Sequence, residues 1–200
     1  MMLRNAMDAG EERLIAVDEA FQELFEPYAE YAKVPAVDLA SKLGDQPELR
    51  MLASGVIAAG VALESDRLVR AGARMMIAHE AATAVKSVLK HNVDRTRPRS
   101  ANRREEKKPR KGDSRAKELS SFPSGHSAGA VAVARAFSRE YPEYGVAALG
   151  AAGLIAALQV PRSAHYLSDV VAGLAIGIAA EAAVNVLWGL AGMDERSRFD

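Results

Sequence analysis

Three clusters in this chain could do chemistry on an anion. In Lys90-His-Asn-Val-Asp-Arg-Thr-Arg97-Pro98, a lysine and an arginine stand where a helical stretch gives way to a loop. Lys supplies a compact positive charge, and Arg a planar fork that can take two oxygens of a phosphate. In Phe122-Pro123-Ser124-Gly125-His126-Ser127, Pro, Ser and Gly directly precede an apolar helical run. Free backbone N–H groups at such a helix start attract an anion, and Gly125 admits close approach. His126 stands where it could give a proton to a leaving oxygen. In His165-Tyr-Leu-Ser-Asp169, a histidine and an aspartate share a helix face at i, i+4. A carboxylate on one imidazole nitrogen fixes the tautomer and leaves the other nitrogen as base or nucleophile. Each cluster alone also has an ordinary explanation: a basic end complementing the helix dipole, a Ser N-cap beside a surface His, a polar helix start. His79 has no such company and reads as a packed helix residue.

The elements that must position these groups are helices. Residues 10–32 predict an amphipathic helix, with Leu14, Val17, Phe21, Leu24, Tyr28 and Tyr31 in one apolar stripe and a kink at Pro27. Its polar face is acidic, whereas surface-seeking membrane helices are usually basic there. The expectation is therefore docking on the protein's own body or on a partner. A short helix over 36–43 stops at Gly44. Asp45 and Glu48, flanking Pro47, then signal the start of a helix that carries the apolar run 51–63. After a polar turn at 64–70, further helices are predicted over 71–89, 124–138, 145–160 and 169–191. Gly173 and Gly177, four apart, invite close approach of another helix. No strand alternation is persuasive. Residues 91–121 carry Pro98, Pro109 and Gly112 with no periodicity, and read as a long loop.

The chain has 200 residues, 49% of them apolar, enough for one domain with its own core. It has no cysteine, which excludes a disulfide scaffold and a thiolate metal site. The 26 basic and 26 acidic side chains cancel, which argues against a general nucleic-acid binder. The balance is uneven along the chain: residues 94–120 hold eleven bases and five acids, while residues 1–33 hold eight acids and three bases. A basic island of net +6 suggests a local anionic partner or a solvated loop. No cleavable leader is visible in the acidic first 30 residues. The segment 170–191 has the roughly 20 residues that a membrane span needs, interrupted by Glu181 and Asn185. The segment 145–160 reaches only about 24 Å as a helix. Arg74, His79, Glu80 and Lys86 make 71–89 costly in lipid. On hydropathy alone, a membrane bundle and a soluble Ala/Leu bundle fit equally well.

Taken in order, Lys-x6-Arg-Pro, Pro-Ser-Gly-His and His-x3-Asp before a Gly-containing apolar helix resemble the type 2 phosphatidic acid phosphatase family, over at least residues 85–180. The resemblance implies an all-α bundle of about five to six core helices, embedded in a membrane, with the amphipathic N-terminal helix added. On that reading residues 1–33 form the acidic helix, 34–193 the phosphatase domain with its basic loop, and 194–200 a polar tail. It also implies a phosphatase needing no metal or cofactor, acting on a phosphomonoester or diphosphate, a lipid phosphate first and a soluble phosphomonoester otherwise. By position, Lys90 and Arg97 would bind phosphate oxygens, as would Ser124 and, through its backbone, Gly125. His126 would protonate the leaving group, His165 would attack phosphorus, and Asp169 would orient His165. The family's third motif places Arg six residues before that histidine, and here Gln159 stands there. Arg162, one helical turn later, is the candidate substitute. Without compensation the chain would be a weak catalyst or a phospholipid-binding protein. A vanadate-dependent haloperoxidase, sharing the same anion pocket, is a smaller alternative. If the basic loop obeys the positive-inside rule, the active end faces the cytoplasm, whereas relatives that process envelope lipids often face the other way.

Overall fold

Helical periodicity becomes seven α-helices in the computed structural model, which describes residues 2–193. The polar tail 194–200 lies outside the described residues. Helix α1 (Met2–Phe25) ends before Pro27, which has no N–H to continue it, and the chain runs on in single 3₁₀ turns. The predicted kinked helix to residue 32 is therefore a straight helix followed by turns. Then come α2 (Pro35–Lys42), α3 (Gln46–Ala62) and α4 (Asp66–Lys90). Helix α4 starts five residues before its predicted position. Ser65 Oγ accepts the Leu68 N–H at 3.4 Å, and Arg67 and Arg70 in the polar first turn pair with Glu143 and Glu140. Helices α5 (Gly125–Glu140), α6 (Gly145–Ala157) and α7 (Leu167–Leu190) follow the predicted segments closely.

Helix α5 is the centre of the bundle. It packs on α4, α6 and α7, with α3 outside α4. Every residue from Ser127 to Ala134 is buried, most of them alanine, glycine or valine. Small side chains let helix axes approach closely, and two glycines on α7 set the tightest contact. A Cβ at Gly173 would collide with the Ser124 carbonyl, and one at Gly177 with the Ala128 carbonyl. The N-termini of α5 and α7 are thereby held side by side. The C-terminus of α4 reaches the same end.

The charged segment 91–121 closes that end as an ordered loop. A two-residue strand β1 (Val93–Asp94) pairs antiparallel with β2 (Arg110–Lys111). Beyond it, the Arg95 N–H donates to Leu119, Arg97 N–H to Glu118, and Ser121 N–H to Arg95, at 2.8 to 3.0 Å. This ladder pins Lys90, Arg97 and Ser121 to one another across thirty residues of chain.

Helix α1 docks on this end, but not by its apolar stripe. Leu14, Val17, Phe21 and Leu24 are exposed, as are Tyr28 and Tyr31, while Ile15 and Asp18 face inward and are buried. The buried guanidinium of Arg95 sets this orientation, because it needs carboxylates and finds Asp18 at 2.7 Å.

Candidate active site

The three helix ends surround a cavity of about 320 Å³, lined by Lys86, Lys90, Arg97, Gly125, His126 and His165 together with Gly44–Glu48 at the start of α3. Three clusters far apart in sequence thus share one wall. Lys90 Nζ donates to the Ser120 carbonyl at 2.5 Å. Arg97 donates to the carbonyls of Lys117 at 2.9 Å, Ala164 at 3.2 Å and Ser120 at 3.4 Å. Neither side chain makes an ion pair with a described carboxylate. Their hydrogen bonds go to backbone carbonyls, with the charge of Asp169 acting on both from a distance, and their N–H groups are not capped by a carboxylate. Burial pushes Lys90 down to about 7, and the neighbouring Arg97 adds to the fall.

His165 is almost wholly buried. Its Nδ1 lies 2.7 Å from the Ser121 carbonyl, an acceptor only, so Nδ1 carries the proton. Nε2 is left with its lone pair. The Asp169 carboxylate stands behind, 3.9 Å from Nδ1, and takes hydrogen bonds from Ser121 Oγ at 2.5 Å and the Tyr166 N–H at 3.0 Å. Arg95 Nη1 donates to its other oxygen at 2.6 Å. The sequence pairs His165 directly with Asp169. In the fold, Ser121 makes the direct contact, and the carboxylate acts through Ser121 and through its charge. Burial pushes His165 down to about 4, against the pull of Asp169, so the imidazole is neutral at pH 7.

Across the cavity, the His126 ring centroid is 6.2 Å from that of His165, with the planes at 65°. His126 Nε2 meets Asp45 Oδ1 at 2.7 Å. Asp45 is the residue whose position predicts an N-cap for α3, yet its side chain makes no cap hydrogen bond and reaches His126 instead. Burial lowers the His126 pKa, while Asp45 opposes this.

Ser124 has the ordinary N-cap role: its hydroxyl accepts from Ser127 N–H at 3.4 Å and Ser127 Oγ at 2.9 Å, and it is fully buried behind the cavity wall. Gly125 lines the cavity, and a Cβ there would lie 3.1 Å from the Lys86 side chain. As the first residues of α5, Gly125 and His126 have N–H groups without intrahelical acceptors. Arg162 is not on the cavity wall. Its guanidinium is held by Asp38 at 2.8 Å and by the Val37 carbonyl at 3.3 Å. Gln159 is buried too, its amide donating to Ile155 at 2.8 Å and Ser41 at 3.1 Å. His79 is buried between α4 and α5, away from the cavity, as a packed residue. Sequence reasoning missed Lys86, Asp45, Ser121, Arg95 and Asp18. Lys86 carried a signal, one turn before Lys90 on the same helix face.

The arrangement joins a neutral, oriented imidazole to a second histidine and three cations around one cavity. Two lipid A 1-phosphatases, from Rhizobium etli and Rhizobium johnstonii, are each 47% identical to this chain over 57 residues, 28% of its length. The matches span about a quarter of those two proteins. Among solved structures, Aquifex aeolicus LpxE has the same fold, with a TM-score of 0.52 and 21% identity over 81% of this chain and 92% of that one. The sequence pattern of the PAP2 superfamily matches residues 71–191, from the first third of α4 to the end of α7 and across all three clusters. With more than half of its length inside that pattern, the chain belongs to the PAP2 superfamily.

Proposed function

We propose that this protein is a membrane-bound phosphatase that removes phosphate from a lipid phosphate through a phosphohistidine on His165. The observation that carries the reading is the pairing of a neutral His165 with two cations, the half-buried Lys90 and the buried Arg97, that make no ion pair with a described carboxylate. A phosphate entering the cavity replaces missing counter-charge, and the same cations stabilise charge developing at phosphorus. Charge-assisted hydrogen bonds of this kind are worth about 1.5–3 kcal/mol each.

In the first step His165 Nε2 forms a bond to phosphorus as the ester P–O bond breaks, and His126 gives its proton to the leaving oxygen. In the second, water attacks phosphorus and passes a proton to His126. The N–P bond breaks and inorganic phosphate leaves. The bound phosphate's negative charge favours protonated His126 in the first step, as does Asp45.

The membrane reading rests on apolar surface. Helix α7 is the one helix among the described residues that is long and apolar enough to cross a bilayer. Large apolar side chains stand exposed along it, at Val171, Val186 and Leu187, and others stand exposed on α3 at Met51 and Leu52 and on α6 at Val146 and Leu154. The curated relatives named as lipid A 1-phosphatases agree with a phosphorylated lipid as substrate.

Gln159 favours a second reading, a phospholipid-binding protein with weak catalysis, because the family's arginine is absent and Arg162 is engaged by Asp38. One assay separates the two. Phosphate release is measured in EDTA from phosphatidate, a polyprenyl diphosphate and a soluble phosphomonoester, with wild type beside His165→Ala. Turnover in EDTA that is lost in the variant supports the phosphatase. Folded wild type that binds phosphatidate vesicles without turnover favours the binding protein.

A further inference from the structure

The outward stripe on α1 has a use that its docking contacts do not explain. At about 100° per residue, Leu14, Val17, Phe21 and Leu24 share one flank, and Glu12 and Glu19 lie roughly opposite. The acidic flank is spent on the basic loop. Glu12 pairs with Lys108 at 2.7 Å and Glu19 with Lys107 at 2.9 Å, with Arg104 within 3.6 Å of both. The inward edge is fixed by Asp18, which accepts from Arg95 at 2.7 Å and from Ser168 N–H and Oγ at 2.9 and 2.6 Å. Leu24 stays 61% exposed and Phe21 37%, the latter beside the Phe25 ring.

The direction of the stripe points to its partner. Leu14 and Val17 line an apolar groove of about 400 Å³ with Leu167, Val171 and Ala175 on the first turns of α7. Val171 is exposed on the flank of the spanning helix. The stripe therefore continues the apolar surface of α7, while the acids turn towards the loop that caps the catalytic end. An acidic helix face would be repelled by anionic headgroups. Here Lys107, Lys108 and Arg104 offset Glu12 and Glu19 of that face within the protein.

We infer that α1 lies in the plane of the membrane interface at the catalytic end, with Leu14, Val17, Phe21 and Leu24 seated in lipid. This inference rests on the membrane reading above. It gives the active site a fixed depth: Asp18 of the seated helix holds Arg95, and Arg95 holds Asp169.

The chain has no cysteine, so Leu24→Cys and Phe21→Cys each give one thiol for a nitroxide label. The full chain is reconstituted in vesicles of phosphatidylcholine and phosphatidylglycerol, with Ala16→Cys on the exposed far side as reference. Labels at 21 and 24 are expected to collide several-fold more with oxygen than with an aqueous nickel chelate, and the label at 16 to show the reverse. Labels at 21 and 24 that favour the nickel chelate, or are shielded from both by a second copy, overturn the inference. This readout needs no turnover, so it stands apart from failure of the phosphatase reading. In a second arm, Phe21→Asp combined with Leu24→Asp is expected to slow hydrolysis of vesicle phosphatidate about tenfold and leave a soluble phosphomonoester unchanged. Equal rates for variant and wild type on both substrates, or equal loss on both, overturn it as well.

Discussion

The two ends of this bundle both bury paired charge, and only one of them, where Arg95 meets Asp18 and Asp169, also holds cations with no carboxylate in contact. At the far end, Glu181 of α7 is buried and meets Arg135 and Arg139 of α5, each at 2.8 Å. Beside it Arg74 pairs with Glu140 at 2.8 Å, donates to Asn185 at 3.0 Å and lies over the Trp188 ring. Each of these charges has an opposite charge in contact. At the other end, some 18 Å along α7 by helical rise from Glu181 to Asp169, the half-buried Lys90 and the buried Arg97 donate to carbonyls only. Replacing a paired charge mostly costs stability, because its partner is left buried alone. Replacing an unpaired cation removes a cost to the fold and a contact to the ligand. Paired charge holds the helices together at both ends, and on the proposed reading the near end's two cations without a carboxylate in contact receive an anion.

His165→Ala is expected to give the largest effect that separates the ends. It removes the proposed nucleophile, and turnover should fall by at least about 10⁴-fold, as for nucleophiles elsewhere. Its counterpart, Arg135→Ala with Arg139→Ala, leaves Glu181 unpaired. Stability should drop by about 3 kcal/mol in a denaturant titration, with turnover per folded molecule unchanged. A large loss of specific activity in that pair would break the division of labour.

Arg97→Ala should lower kcat/KM by about ten- to a hundredfold, the equivalent of one charge-assisted contact. Its midpoint of unfolding should hold or rise. Lys90 adds a pH signature. The free enzyme holds it at about 7, so the cation is present below that pH and lost above it. In kcat/KM measured from pH 5 to 9, a fall should set in above about 7. Lys90→Arg, charged throughout, should flatten that limb. Arg162→Ala marks the small end of the scale. Its partner Asp38 is partly exposed, so less than about a threefold change is expected. A hundredfold loss would mean that Arg162 leaves Asp38 to grip substrate in place of the missing arginine.

The helices were legible because their apolar periodicity is local. The motifs were legible because Lys90, His126 and His165 sit at or beside helix ends and Arg97 in the loop that leaves α4, close in sequence to groups whose position they share. What failed to show was the set of contacts that only the assembled end defines. Asp45 has every local mark of a cap, and its contact with His126 depends on α3 and α5 meeting. The stripe on α1 reads as a docking face until the buried Arg95, 77 residues away, claims Asp18. Glu181 and Asn185 read as interruptions of an apolar segment, and their arginine partners lie on other helices. The basic island reads as net +6, and part of that charge is already answered by α1.

The covalent intermediate offers the sharpest experiment. Phosphatidate labelled with radioactive phosphorus is mixed with the wild-type protein in EDTA, quenched in alkali within milliseconds and digested. A label that survives alkali, is lost in acid, maps to the peptide containing His165 and is absent from His165→Ala is the expected result. Turnover at the wild-type rate with no label on His165 at any quench time would contradict it.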